Sequence, residues 1–71
     1  MRVKRRDLIR ELGRMAARAG MPFVLVRHGA DHDQYRLGRM LIPVPPHREV
    51  TESTAQGILR DARRFVEEEA R

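Results

Sequence analysis

Gly38-Arg39 separates two runs in which apolar and polar residues alternate. A two-residue connection with glycine first suits a type II′ turn, whose twist matches that of paired strands. The register that follows sets Leu37 opposite Met40 and Tyr35 opposite Ile42, so four apolar side chains share one face. His32, Gln34 and Arg36 fall on the other face. An antiparallel sheet of this kind buries one face and leaves the other to water. The rest of the chain must therefore supply a cover for one side only.

Two amphipathic segments can do so. Over residues 4–19, Leu8, Leu12, Met15, Ala16 and Ala19 recur at helical spacing, with Ile9 at the edge of the stripe. Gly20 and Pro22 stop this helix. A second helix is expected over 52–69, with Thr51 as N-cap and Ala55, Ile58, Leu59, Ala62, Phe65 and Val66 as its apolar stripe. Between the helices, Phe23 to His28 is a strand-length run, and Gly29-Ala30-Asp31 reads as a turn. Pro43-Val44-Pro45-Pro46 is expected to end the third strand, with residues 47–50 as loop. The expected fold is α+β, in the order α-β-β-β-α. Both helices lie on one face of a three-stranded antiparallel sheet, in a single domain over 1–71. At 71 residues the core is thin, burying about 60% of the unfolded chain's surface.

The first turn leaves one choice open. A three-residue loop would put His28 opposite His32 on the open face and turn Arg27 inward toward Asp33. A two-residue loop, Ala30-Asp31, would put Arg27 beside His32 instead. A one-residue slip reverses every side chain.

Charge points to a class of partner. Residues 1–48 carry eleven Lys and Arg against four acids, while 49–71 carry four Arg against six acids, within a total of +5. A basic body with a mildly acidic end suits a polyanion such as nucleic acid. Arg6, Arg10, Arg14 and Arg18 form a ridge four residues apart, either a solvated face or a docking edge. Without cysteine there is no disulfide or thiolate site. No apolar run approaches a membrane span, and no signal-like segment follows the basic start, so a cytoplasmic location without a membrane partner is expected. His28, His32 and His47 lack ligand spacing and an accompanying carboxylate cluster, so neither metal nor other cofactor is expected. Ser53 and Thr54 suit a helix start, not a nucleophile, and Gly29 is a turn glycine with no strand-to-helix phosphate loop around it.

Gly29-Ala30-Asp31-His32 has the Gly-x-x-His spacing of the HicA-type toxins of bacterial and archaeal toxin–antitoxin modules, which often carry Ser where Ala30 stands. Lys4-Arg5-Arg6-Asp7-Leu8-Ile9, Leu25-Val26-Arg27, Ile42-Pro43, Arg48-Glu49-Val50 and Gly57-Ile58-Leu59 also resemble that family in order and spacing. The resemblance spans most of residues 4–62. It implies a double-stranded-RNA-binding-like fold and an mRNA-cleaving ribonuclease that arrests translation. It further implies dependence on one histidine, independence of metal, and neutralisation by a HicB-type antitoxin. This chain departs from the family in a longer Gly13–Met21 segment and in a second helix extended through Phe65-Val66.

RNA is cleaved without metal when its 2′-hydroxyl attacks the adjacent phosphate, a step that needs a base, an acid and positive charge. Imidazole serves as either base or acid near neutral pH. His32 is the catalytic candidate and His28 a second one. Arg36, Arg39, Lys4, Arg5 and Arg6 are the candidate RNA phosphate contacts. A non-catalytic RNA-binding module using the same open face is the alternative. A small interaction protein that docks an acidic partner on its arginine ridge is a third reading.

Overall fold

The computed structural model describes residues 1–29 and 31–70. Its elements run β1 (Arg2–Lys4), α1 (Arg5–Arg18), β2 (Phe23–His28), β3 (Asp33–Leu37), β4 (Met40–Val44), β5 (Glu49–Thr51) and α2 (Glu52–Glu69). Strands β2, β3 and β4 form the expected antiparallel sheet in that order, and β1 pairs with β5 in a separate two-stranded sheet.

The second hairpin forms as its alternation predicts. Leu37 pairs with Met40 and Tyr35 with Ile42. Gly38 has φ +61°, the left-handed geometry its turn demands. Leu37, Ile42 and Val44 join Leu8, Leu12, Met15 and Ala16 of α1 and Ala55 and Ala62 of α2 in one buried cluster. Both helices thus bury their stripes against the same core. On the opposite sheet face Val24 and Leu41 are solvent-exposed. The α2 cap is the expected one, with Thr51 Oγ1 accepting from the Thr54 amide at 3.4 Å. Among the described residues, no helix is long and apolar enough to cross a membrane.

One expectation is corrected. Of residues 47–50, expected as loop, Glu49 and Val50 belong with Thr51 to strand β5, paired in register with β1: Arg2 with Thr51, Val3 with Val50, Lys4 with Glu49. Three-residue strands are too short to show alternation, and this pair joins segments far apart in sequence. The Pro43–Pro46 segment ends the third strand as expected, after Val44 and before Pro45. Pro43 lies on an edge strand, where a residue without an N–H is tolerated.

Candidate functional site

The turn between β2 and β3 resolves the open register. Gly29 donates its amide to the His32 carbonyl at 2.9 Å, and behind that bond His28 pairs with Asp33 and Arg27 with Gln34. This is the two-residue register. It does not continue along β2, because the pairing shifts between Leu25 and Arg27 and restores Leu25 opposite Tyr35. Val26 is the extra residue of this β-bulge. Arg27 therefore shares the open face with Gln34 and Arg36, while His28 and Asp33 point to the helix side. His28 does not lie opposite His32, and Arg27 does not turn toward Asp33. The bulge lets Phe23 and Leu25 share the helix side with Leu37 and Tyr35 while His28 joins Asp33 there. No single uniform register achieves both.

His32 precedes the first residue of β3 and is exposed. Alternation from inward-facing Asp33 assigns it to the open-face side of the turn. Gly29 is needed for close approach: a Cβ there would collide with the His32 carbonyl oxygen. This accounts for the glycine, while the contact, being with backbone, does not select the side chain at position 32. Ala30 lies outside the described residues.

Asp33 is the buried polar residue behind the turn. Its carboxylate accepts from the Arg5 guanidinium at 2.5 Å through Oδ2, and its Oδ1 stands 3.0 Å from His28 Nδ1. A carboxylate only accepts, so His28 Nδ1 carries the hydrogen, and in the neutral ring Nε2 is the nitrogen left with a lone pair. The His28 side chain is 76% exposed, against 12% for Asp33, so the imidazole is held at its root and open at its tip. Arg5 also donates Nε to the Pro45 carbonyl at 2.9 Å and sits 6.0 Å from the centre of the Tyr35 ring. Tyr35 in turn stacks on Phe23, centroids 5.2 Å apart. In the sequence Asp33 is only one acid in a basic body. Its burial on the helix side follows from its alternation with Tyr35 and Leu37 in β3, and the bulge in β2 brings His28 to the same side, which makes Asp33 an orienting group.

The predicted cations divide between the two ends of the sheet. Lys4, Arg5 and Arg6 lie at the histidine end, because Arg5 reaches Asp33 and its amide donates to the Arg48 carbonyl at 2.8 Å. Arg5 is already paired, whereas Lys4 and Arg6 are exposed. Arg36 stands mid-sheet in a row with Val24 and Leu41. Arg39 sits in the far hairpin, about 17 Å from the histidine turn along a five-residue strand. There it pairs with Glu69 at 2.8 Å. On the α1 ridge, Arg10 lies 3.8 Å from Asp7, and Arg14 and Arg18 lie 4.0 and 3.4 Å from Glu11. Among the described residues, no three His, Cys, Asp or Glu side chains gather as a metal cluster.

Comparison of the chain with protein-family models, curated proteins and solved structures gives no match.

Proposed function

We propose that the protein is a metal-independent endoribonuclease of the HicA type, acting on mRNA at the turn between β2 and β3. The observation that carries this reading is a pair of solvent-open histidines flanking that turn, one of them fixed by a buried carboxylate, at the basic end of the domain. The order of helices and sheet agrees with a double-stranded-RNA-binding-like topology, and that finer fold assignment belongs to the same proposal.

The chemistry divides between the two imidazoles, one on each side of the turn, with the scissile phosphate lodged at the edge of the turn between them. With Nδ1–H held by Asp33, the Nε2 lone pair of His28 takes the proton of the RNA 2′-hydroxyl. The freed oxygen attacks the neighbouring phosphorus, and the bond to the 5′-oxygen of the next nucleotide breaks. His32, in its protonated form, donates to that leaving oxygen. The products are a 2′,3′-cyclic phosphate and a 5′-hydroxyl, with no net change in protons across the pair. Asp33 is a positioning residue, acting as the carboxylate does behind a catalytic histidine. Arg27 and Arg36 on the open face, and Lys4 and Arg6 on the helix side, supply positive charge to either side of the turn.

The open face also suits a HicB-type antitoxin. Val24 and Leu41 are 41% and 59% exposed there, with Arg36 and Arg27 among them, and Val26 at the bulge is 48% exposed. An acidic partner with apolar anchors matches that mixture. Such a partner would cover the His32 side of the turn.

The test is cleavage of single-stranded RNA in the presence of a chelator by wild type, His32→Ala and His28→Ala. Loss of cleavage in both variants, with RNA affinity kept, is the expected result. Undiminished cleavage in His32→Ala would sink the catalytic assignment. RNA binding by wild type without any cleavage would favour the non-catalytic RNA-binding module.

A further inference from the structure

The basic surface beside the histidine turn extends beyond Lys4, Arg5 and Arg6. A groove opens between β1, β5, the start of α1 and the 45–48 loop. Its walls carry Arg2, Lys4, Arg5, Arg6 and Arg48 against a single carboxylate, Glu49. Glu49 is the cross-strand partner of Lys4, Arg5 is paired with Asp33, and Arg6 lies 4.0 Å from Asp7, which leaves Arg2 and Arg48 as the groove cations without a local counter-charge among the described residues. Arg2, Lys4 and Arg48 make no side-chain ion pair among the described residues. The pairing of β1 with β5 creates the groove by bringing residues 2–6 beside 45–49.

The groove and the histidine turn are neighbours. Arg5 lines the groove, and the same side chain bonds the Pro45 carbonyl and Asp33. Val44, the last residue before the 45–48 loop, is the cross-strand partner of Asp33. Basic groove, buried Asp33 and open His28 are therefore linked by one arginine.

We propose that this groove binds the phosphodiester backbone of single-stranded RNA, so that the strand wraps the histidine end of the sheet on its helix side instead of crossing the open face. The placement of the scissile bond at the turn rests on the nuclease reading above; the binding itself does not. The distribution of apolar surface separates RNA from a protein ligand here. Apart from Met1, the exposed large hydrophobic side chains are Val24, Leu25, Val26 and Leu41, all on the three-stranded sheet. The groove's apolar lining is Pro45, Pro46 and the buried Val50, with no exposed apolar aromatic or long aliphatic side chain among the described residues, whereas protein interfaces are built around large aromatic or aliphatic anchors. The groove offers arginines, which grip phosphate bidentately, and the exposed His47 ring, on which a base can stack.

The experiment measures binding of a short fluorescein-labelled single-stranded RNA by anisotropy, across a salt series. It uses the full chain carrying His32→Ala to prevent turnover. Adding Arg2→Ala and Arg48→Ala together should weaken binding by about tenfold or more. The same pair should reduce the slope of log affinity against log salt by about 1.4, at roughly 0.7 for each phosphate no longer neutralised. Lys4→Gln should weaken it less, and Arg63→Ala, an exposed charge on α2 outside the path, by under about twofold. Unchanged melting temperatures show that the fold is intact. If Arg36→Ala weakens binding tenfold while the groove pair does not, the proposal is overturned. It is also overturned if a polyglutamate peptide binds the groove more tightly than RNA. Wild-type cleavage is read separately. Groove-dependent binding without cleavage supports the groove and removes the nuclease reading. Cleavage with groove-independent binding does the reverse.

Discussion

The two hairpins of the three-stranded sheet are built for different purposes. The β3–β4 hairpin is regular. Its register is uniform from Asp33–Val44 to Leu37–Met40, its turn is two residues long, and Gly38 supplies the one left-handed backbone position. A Cβ on Gly38 would meet Met21 and Phe65, so the turn is seated against the rest of the domain. Its exposed cation, Arg39, is tied to Glu69. The β2–β3 hairpin is irregular. It carries a bulge at Val26, a glycine without room for a side chain, and a buried carboxylate behind an exposed imidazole. Irregularity of this sort re-aims side chains, and here it separates Arg27 from His28 onto opposite faces. The contrast teaches that one end of the sheet serves stability and the other presents titratable groups.

The sharpest way to break that comparison is to remove the imidazole from the irregular end. His32→Ala should lower RNA cleavage by about 10²–10⁴-fold, the usual worth of a general acid or base, with the melting temperature unchanged because the side chain is exposed. Single-turnover cleavage and thermal melting measure the two effects. A similar loss in an Arg39 variant would erase the functional polarity of the sheet.

At the regular end the large effect should be on stability. Leu37 is fully buried, and Leu37→Ala should cost about 2–5 kcal/mol in urea unfolding. That is a large share of the stability of any small domain. Asp33→Asn tests whether the two ends are wholly distinct. It leaves the largely buried Arg5 without its counter-charge and weakens the hold on His28. A stability loss of about 1–3 kcal/mol is expected. A fall in kcat larger than any rise in KM should accompany it. Unfolding without a kcat effect would make Asp33 structural only. The smallest change is expected for Arg39→Ala. Its side chain is 78% exposed, so loss of the Glu69 pair should cost at most about 1 kcal/mol, with cleavage unaltered.

Legibility in the sequence followed the range of the interaction. Both helices, the Thr51 cap and the Gly38-Arg39 register were readable because each depends on neighbours within a few residues. The β1–β5 pair was not, since three-residue strands carry no periodicity and their pairing is long-range. Of the candidate site, the sequence singled out His32 and the Gly29 spacing. It left His28 and Arg27 as alternatives because a bulge can shift register part-way along a strand. It did not single out Asp33 as the group behind His28, nor Arg2 and Arg48 beside Lys4 and Arg6.

By itself, then, the sequence determined the α-β-β-β-α order, the buried faces, the basic character and the exposed histidine after a glycine turn. These are local consequences of period, turn chemistry and composition. Tertiary structure alone decided that β2 bulges at Val26 and that Arg5 reaches Asp33 across the fold. It also decided that β1 returns to β5. Each depends on bringing residues distant in sequence together, where burial of Asp33 and pairing of its charge must be satisfied at once.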